Sequence, residues 1–403
     1  TPKGIFVSAY ACEPNKGSEP HVGWNWALGL KKIGHEITVI TRDNNKSSIY
    51  RELKKKKIKN IKFLFYDLPG WLIFFKNKSP IFLYIYYYLW QYFAFKKYHN
   101  YSEKNDLVHH ITFGTFRIPS FFWKSKTPLI FGPVGGAETT PFFLIKDLKL
   151  DQKIKEILKY IFNFLQIKFD YNLIKCLKNS KYIFTRTNDT KNLINKCFKN
   201  KINVVSEIGI KNSHKKKITN KKVISFLFAG RHIYWKGGTL IIDAFNQALK
   251  INKNIKLNFV GGGPDKHNWV NKVNSLGIEK FVNFHNWQKL DSMKNFYKKN
   301  DVFIFPSFHD SGGTVINEAM SYSLPIICLD LGGPALKVDE NCGFVISTKS
   351  KNLDKAKIVK KMSKKILQLA NDKKLIKKLS YGSYIKSKKY NWDKIIKDVY
   401  NNI

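Results

Sequence analysis

The sequence is poor in acidic residues. Asp and Glu together number 29, against 71 Lys and Arg, which leaves a formal net charge of +42. Such an imbalance favours anionic partners, namely nucleic acid, acidic lipid or phosphorylated substrates. The lysines are spread along the whole chain, so a compositional bias toward Lys, Asn and Ile is the alternative explanation. Zinc-binding, helix-turn-helix and RNA-recognition patterns are missing, and we therefore expect no nucleic-acid partner.

Cysteine pairs are also missing. The five cysteines are scattered, odd in number and never spaced as CxxC: Cys12, Cys176, Cys197, Cys328 and Cys342. This pattern supports neither a disulfide framework nor a zinc site, and it favours a reducing cytosol. The opening residues, TPKGIFVSAYA, are too short and too strand-like to predict a secretory signal. No DxD-type acidic pair stands out as a metal site. We expect no cofactor.

A long uninterrupted apolar run is missing as well. The nearest candidate is residues 70–97, GWLIFFKNKSPIFLYIYYYLWQYFAFKK, which Lys76, Lys78 and Pro80 interrupt. It is too polar and too aromatic for a standard membrane-spanning helix. Tyr and Trp prefer the lipid–water interface and the lysines suit anionic headgroups, so this segment is a candidate membrane contact. The alternative is a large aromatic helix packed in the N-terminal domain, and both interpretations can hold for opposite faces.

The order of the segments predicts two α/β domains. At 403 residues the chain is too long for one ordinary core, and strand-like segments alternate with helical ones, including long helical segments at 153–178, 358–369 and 391–399. We expect two Rossmann-like, doubly wound domains. The N-terminal domain spans 1–210, the polar linker KNSHKKKITNKK spans 211–222, and the second domain spans 223–385. A C-terminal helix within 386–403 is predicted to pack back on the N-terminal domain.

Glycine-containing loops follow several of the predicted strands. In the first domain they include YACEPNKGSEPHVG, which contains Gly17, and TFGTFRIPS, which follows a strand ending in His109 and His110. Because ligands of doubly wound sheets bind at the carboxyl ends of the strands, these loops mark the crevice side. No clean GxGxxG is present, which disfavours an NAD enzyme.

Two motifs of the second domain combine glycines with charge. In FAGRHIYWKGG, Arg231 and Lys236 lie between a strand and a helix, with Gly230 at the strand end. Cations and backbone N–H groups at a helix N-terminus form a cradle for a diphosphate, and ordinary surface cations are the less favoured alternative. The segment GGGPD contains Gly262, whose backbone can approach a ligand or simply turn tightly.

Residues 305–334, FPSFHDSGGTVINEAMSYSLPIICLDLGGP, form the most informative segment. It predicts a strand, a glycine loop, a short helix and a second strand. Asp310 and Glu318 are separated by seven residues, so Asp310 lies in the loop and Glu318 about one turn inside the helix. Carboxylates accept hydrogen bonds from sugar hydroxyls, and the N–H groups around Gly313, Thr314 and Val315 are placed to bind phosphate oxygens. Taken singly, either acid is equally well explained as a helix cap or a solvated charge.

Together these segments resemble the retaining glycosyltransferases of GT-B fold, in particular glycosyltransferase family four. The resemblance covers nearly the whole chain: an N-terminal glycine loop, the GR…KG pair, a GxGP-type loop and the block PS…GG…EAM…P…GG, in this order. The segments ACEPNKGSEPHVGWNWAL and HHITFGTFR…GPVGGAE look like a bacterial polysaccharide-type subgroup.

The resemblance implies roles for the charged residues of the second domain. Arg231 and Lys236 match the pair that binds the donor diphosphate and stabilises the departing nucleotide. Glu318 matches the second acid of the E-x7-E motif, which holds the nucleotide ribose. Asp310 occupies the place of the first acid, which contacts the transferred sugar, and it departs from the pattern because Asp is one methylene shorter than Glu.

The resemblance also implies that the two domains face a cleft, with domain 1–210 on the acceptor side and domain 223–385 binding the nucleotide sugar. Gly17 falls in the loop that faces the donor phosphates. His109 or His110 corresponds to a strand-end histidine that often contacts the sugar, and the adjacent pair leaves the register open.

These implications predict a metal-independent, retaining hexosyltransferase. We expect it to move a hexose from a nucleotide-diphosphate sugar to a glycan or lipid-linked glycan in cell-surface polysaccharide synthesis. Its expected location is cytoplasmic and peripheral on the inner face of the cell membrane, with residues 70–97 and the basic face on anionic lipid. A nucleotide-sugar epimerase of the same fold and a non-catalytic basic protein that binds membranes or polyanions are the alternatives.

Overall fold

A computed structural model of the chain describes residues 3–198, 202–216, 221–350, 352–401 and 403. The chain divides into two compact units. The first contains Thr1–Ala137, Tyr160–Ile208 and Trp392–Ile403, and the second contains Glu138–Lys159 and Gly209–Asn391. The domain boundaries expected from the sequence run continuously along the chain, whereas these units interleave. Within the expected linker 211–222, residues 217–220 lie outside the described residues.

The first unit contains a parallel seven-stranded sheet with the order β3-β2-β1-β4-β5-β6-β7. Its strands are β1 (Gly4–Ala9), β2 (Glu36–Thr41), β3 (Ile61–Phe65), β4 (Leu107–Thr112), β5 (Leu129–Val134), β6 (Ser180–Thr185) and β7 (Ile202–Val204). Every residue of β4 and β5 is buried. Such uniform burial is typical of central parallel strands covered on both faces.

The second unit contains a parallel six-stranded sheet with the order β10-β9-β8-β11-β12-β13. Its strands are β8 (Ile224–Ala229), β9 (Ile255–Val260), β10 (Val282–His285), β11 (Val302–Phe305), β12 (Ile326–Leu329) and β13 (Gly343–Ile346). If the strands of each sheet are numbered from 1 in chain order, the second sheet has the doubly wound order 3-2-1-4-5-6. The first sheet has the same order with a seventh strand added at the end. The predicted fold of two Rossmann-like α/β domains is therefore confirmed.

Helices connect the strands of both sheets. In chain order they are α1 (Ser18–Lys32), α2 (Lys46–Lys55), α3 (Gly70–Lys76), α4 (Pro80–Ser102), α5 (Phe142–Ile145), α6 (Leu150–Phe169), α7 (Tyr171–Asn179), α8 (Asn188–Cys197), α9 (Gly238–Leu249), α10 (Lys266–Ser275), α11 (Leu290–Lys299), α12 (Thr314–Ser321), α13 (Gly332–Lys337), α14 (Lys355–Asn371), α15 (Lys373–Ser387) and α16 (Trp392–Tyr400). Within the part of the chain that the structure describes, no helix combines the length and apolarity needed to cross a membrane.

Two helical regions differ from the sequence-based expectation. The predicted helical region 153–178 is divided between α6 and α7, because Asp170 accepts a hydrogen bond from Leu173 N at 3.0 Å and caps α7. Helix α15 was not predicted, since its buried face includes Ser380, Ser383 and Ser387 and gives little apolar periodicity.

Residues 70–97 form α3 and most of α4, and α4 has two different faces. Tyr86, Tyr87 and Trp90 are buried in the core of the first unit, so the expected core packing is confirmed for one face. The opposite face and α3 are exposed at large apolar side chains: Trp71, Phe74, Phe75, Ile81, Phe82, Tyr84, Ile85 and Phe93.

Candidate functional site

The second sheet reverses its strand order between β8 and β11, which are neighbours. In doubly wound sheets ligands bind beyond the carboxyl ends of the strands at such a switch point. Three loops leave the sheet at this edge: the β8 loop (residues 230–237), the β9 loop (residues 261–265) and the β11 loop (residues 306–313). The candidate site of the second unit consists of these loops and the N-terminus of α12.

The β8 and β11 loops are in direct backbone contact. Phe308 N donates to Trp235 O at 2.7 Å, and Ser307 Oγ donates to the same oxygen at 3.1 Å. Gly237 has φ +76°, and a Cβ there would lie 2.3 Å from Pro306 O. A side chain at this position would therefore force the two loops apart.

Lys236 and Asp310 form an ion pair where these loops meet. The other oxygen of Asp310 accepts hydrogen bonds from Gly312 N at 3.2 Å and Gly313 N at 3.0 Å. Burial alone would raise the pKa of Asp310, but the Lys236 charge and these hydrogen bonds hold the pKa below its ordinary value. The carboxylate is thus ionised, and it orders the glycine turn that precedes α12.

Helix α12 begins immediately after Gly313, which has φ +56°. Thr314 and Val315 occupy its first positions, where backbone N–H groups have no acceptor within the helix. The positive end of the helix and these amides can accept an anion at the rim of the loop.

Glu318 lies one turn further along α12. Its Oε2 accepts a hydrogen bond from Tyr297 Oη at 2.7 Å, and its Oε1 has no hydrogen-bond partner among the described residues. Burial raises the pKa of Glu318, and the hydrogen bond from Tyr297 partly offsets that rise. One carboxylate oxygen therefore remains available to a ligand hydroxyl. Tyr297, on α11, carried no motif in the sequence.

Arg231 is the exposed cation of the site. No hydrogen bond or ion pair joins its guanidinium to another described residue. It follows Gly230, which has φ +150° at the end of β8.

A Cβ added to Gly262 in the β9 loop would have no neighbouring atom within 4 Å, so the space beside this glycine is open. The β8 and β9 loops are linked by His232 N donating to Gly262 O at 2.8 Å.

Lys337 is a further cation that the sequence reasoning missed. It lies on α13, is 5% exposed, and its ammonium donates to the carbonyl oxygens of Gly312 and Gly313. The residues Gly332 and Gly333 bring α13 close enough for this contact, since Gly333 N donates to Asp310 O at 2.7 Å. In the sequence, only Gly332 and Gly333 before Pro334 indicated that α13 could pack closely against the β11 loop.

The remaining candidate residues lie in the first unit. Gly17 is the exposed N-cap of α1 and has open space around it. Next to it, Glu19 Oε1 accepts from Arg186 Nη2 at 2.9 Å, which fixes the start of the helix.

His109 and His110 are both fully buried, and their rings contact different hydrogen-bond partners. His109 hydrogen-bonds to Gly132 O at 2.8 Å and Tyr400 Oη at 2.7 Å, so both of its ring nitrogens have partners within the unit. His110 contacts Phe113 O at 3.2 Å, and its Nδ1 has no partner among the described residues. The sugar contact assigned to one of them stays a prediction.

The buried histidines predict that the protein is destabilised by acid. Burial lowers the pKa of His109 to about 3 and those of His110 and His232 to about 4. Below pH 6.5 the unfolded chain therefore binds protons that the folded chain does not. The free energy of unfolding should fall by about 1.4 kcal/mol per pH unit for each histidine, which denaturant unfolding between pH 7 and pH 4.5 measures.

His232→Phe provides the matched variant for this experiment. Neither ring nitrogen of His232 has a partner among the described residues, and its ring packs against Phe228 and Trp269. We expect this variant to be at least as stable as the wild type at pH 7 and to show a shallower pH dependence. An unchanged slope would contradict the assignment.

The exposed face of α3 and α4 extends along the first unit. Tyr88 Oη accepts a hydrogen bond from Asn172 Nδ2 at 2.6 Å, next to the exposed side chains of Phe169 and Tyr171. Lys78 Nζ lies 4.4 Å from the centroid of the Phe74 ring. Large exposed aromatic side chains are therefore numerous on α3, on α4 and around the start of α7, and a lysine lies over at least one of their rings.

Relatives of known sequence match parts of this chain. An uncharacterized glycosyltransferase of Methanocaldococcus jannaschii is 30% identical over 38% of this chain and 37% of its own length. A D-inositol 3-phosphate glycosyltransferase of Streptomyces bingchenggensis is 25% identical over 42% of this chain and 37% of its own length. The chain thus spans little more than a third of the length of either relative.

Solved structures match along the full length. TarM has a TM-score of 0.68 at 13% identity, covering 100% of this chain and 98% of that one. Anabaena Alr3699/HepE in complex with UDP and glucose has a TM-score of 0.62 at 14% identity, covering 99% of each chain. These similarities show the fold, which is GT-B. The family model "Glycosyl transferases group 1" matches residues 209–385. The second unit of this GT-B protein therefore carries a glycosyl transferases group 1 domain.

Proposed function

We propose that the protein is a retaining glycosyltransferase that moves a hexose from a nucleotide-diphosphate sugar to a glycan or lipid-linked glycan acceptor. One observation carries the proposal: Lys236, Asp310, the N-terminus of α12 and Glu318 gather at the switch point of the second sheet. The family match to residues 209–385 supports the same reaction class. The expected setting is cell-surface polysaccharide synthesis.

In this proposal each of these groups has a role. Negative charge develops on the departing diphosphate as the bond between the anomeric carbon and the phosphate oxygen breaks. Lys236, Arg231 and the first amides of α12 offset that charge electrostatically, which requires no metal ion. The acceptor hydroxyl oxygen takes the place of the phosphate oxygen on the same face of the sugar, and its proton passes to the departing diphosphate. Glu318 holds the ribose hydroxyls through its available oxygen, and Asp310 contacts the sugar from the turn.

A donor screen followed by a transfer assay tests the proposal. Because a ligand of the native state raises the melting temperature, thermal unfolding with a panel of nucleotide sugars identifies the donor. Release of nucleoside diphosphate that depends on an added glycan or lipid-linked glycan is the expected result. Interconversion of the sugar without an acceptor would indicate an epimerase instead. Nucleotide binding without transfer or hydrolysis would indicate a non-catalytic protein.

We also propose that the exposed face of α3 and α4 binds the inner face of the cell membrane. Residues 70–102 contain four lysines and no Asp or Glu, so charge and apolar surface both favour anionic lipid. Trp71 is 64% and Phe74 is 61% exposed. The enzyme would then meet a lipid-linked acceptor at the bilayer surface.

Sedimentation with phosphatidylglycerol vesicles is expected to capture the protein in a salt-sensitive manner. Replacing Trp71 and Phe74 together with Ser should lower the partition coefficient at least about tenfold, because both side chains lose their burial in lipid. Phe142→Ser, at a position 70% exposed in the second unit, is the matched control and should bind like the wild type. Equal binding by the double variant would refute this surface, and so would an absence of vesicle binding.

A further inference from the structure

Glu156 belongs to none of the motifs discussed above, yet its carboxylate joins two loops of the candidate site. It lies on α6, in the part of that helix that belongs to the second unit. Glu156 Oε1 accepts hydrogen bonds from Tyr234 Oη at 2.8 Å and from His309 Nε2 at 2.9 Å. Tyr234 is two residues from Lys236 in the β8 loop, and His309 immediately precedes Asp310 in the β11 loop. One carboxylate thus connects the segments on which the ion pair depends.

His309 is oriented by its neighbours on both sides of the ring. Lys159 Nζ lies 3.0 Å from His309 Nδ1, and because an ammonium group can only donate, Nδ1 is the acceptor. The proton of the neutral ring is therefore on Nε2 and is donated to Glu156. The ring also stacks on Trp235, with centroids 5.3 Å apart and planes 19° apart. The β11 loop is consequently fixed just before Asp310.

Burying the Glu156 carboxylate in this way is energetically unfavourable for a contact with a purely structural role. The side chain of Glu156 is 3% exposed, and its Oε2 has no hydrogen-bond partner among the described residues. Burial alone would raise the pKa of Glu156, but hydrogen bonds from His309 and Tyr234 and the charge of Lys159 hold the pKa at about 2. A buried carboxylate with one unpaired oxygen usually stabilises a fold less than apolar residues of similar volume would. Ionised groups that are buried at such a cost concentrate at functional sites.

We infer that Glu156 is a positioning residue of the donor site: it sets the distance between the β8 and β11 loops, and through them the alignment of Lys236 and Asp310 with a nucleotide-diphosphate sugar. The inference rests on the proposed function for the identity of that ligand. Glu156 acts only through Tyr234 and His309. Its chemistry is that of a hydrogen-bond acceptor with two donors, one from each loop.

Binding and kinetics of Glu156→Ala test this role. With the donor identified by the screen, we expect the KM for donor to rise about tenfold and kcat to fall by less than the roughly 100-fold expected for Lys236→Ala, because the cations remain present but are misaligned. Glu156→Gln keeps an acceptor oxygen in place and should recover most of the affinity. Asp151→Ala removes an exposed acid from the same helix, where it pairs with Lys155, and is the matched control. Melting temperatures show that each variant is folded.

A double-mutant cycle with Tyr234→Phe makes the test specific. Tyr234→Phe removes one hydroxyl, so it should weaken donor binding in the wild type and have no further effect in Glu156→Ala. Amide hydrogen exchange without ligand should accelerate at residues 231–237 and 307–313 in Glu156→Ala and stay unchanged in Asp151→Ala. The inference is overturned if Glu156→Ala is folded and retains the wild-type donor KM, if the two substitutions add independently, or if exchange in both loops is unchanged. Failure of the wild type to bind any nucleotide sugar would instead refute the proposed function, while the exchange measurement still reports on the loops.

Discussion

Replacing Lys236 with Ala is expected to lower kcat at least about 100-fold, because the leaving diphosphate loses a preorganised cation. The ammonium group of Lys236 contacts Asp310 and lies 4.9 Å from the centroid of the Phe305 ring, so its position is fixed before any ligand arrives. Steady-state release of nucleoside diphosphate measures the effect. Arg231→Ala should have a smaller effect, since its exposed side chain must be ordered on binding.

Lys280→Ala is the control for the loss of one positive charge. Lys280 is exposed and lies away from the three loops, so its removal should leave kcat unchanged. Lys236→Met keeps much of the side-chain volume without the charge and should be as inactive as Lys236→Ala. Turnover within about threefold of the wild type in both Lys236 variants would contradict the electrostatic role.

Gly333→Ala is expected to disrupt the turn that precedes α12. A Cβ at this position would lie 2.2 Å from Ser311 O, a backbone atom that can move only with the whole β11 loop. Overpacking of this kind costs about 3 kcal/mol, which corresponds to a decrease in melting temperature of about 10 °C for a unit of this size. Because Gly333 N also donates to Asp310 O, donor affinity should fall together with stability.

Gly262→Ala is the control for Gly333→Ala. It replaces a glycine by alanine at a position where the new Cβ meets no neighbouring atom. The space around Gly262 is open, so the melting temperature of this variant should match that of the wild type. Thermal unfolding monitors both variants, and isothermal titration with the identified donor measures affinity in Gly333→Ala. A Gly333→Ala protein with the wild-type melting temperature and affinity would show that the loop does not depend on this packing.

Residues 305–334 show how far local pattern can predict structure. The expected strand, loop, helix and strand are present as β11, the β11 loop, α12 and β12. Apolar runs and glycine turns determine these elements over a few residues, so the pattern is sufficient. The segment also contains the start of α13 at Gly332, which this pattern did not predict.

Local sequence pattern predicted only part of the candidate site. The seven-residue spacing between Asp310 and Glu318 identified both acids as candidates, and both lie at the predicted edge of the second sheet. It did not indicate that Asp310 pairs with Lys236, 74 residues away in sequence, or that Lys337 binds the carbonyl oxygens of the glycine turn. Glu156, 153 residues from His309, has no local signal at all.

The sequence by itself determined the α/β class, the order of most strands and helices, and the placement of Asp310 and Glu318 on either side of a glycine turn. These features depend on hydrogen bonds and burial patterns within a few residues of each other. The tertiary structure decided which face of α4 is buried, that both His109 and His110 are enclosed, and that α6 supplies a carboxylate to the β8 and β11 loops. Those outcomes depend on packing between segments far apart in the chain, and the periodicity of any one segment does not encode its partners.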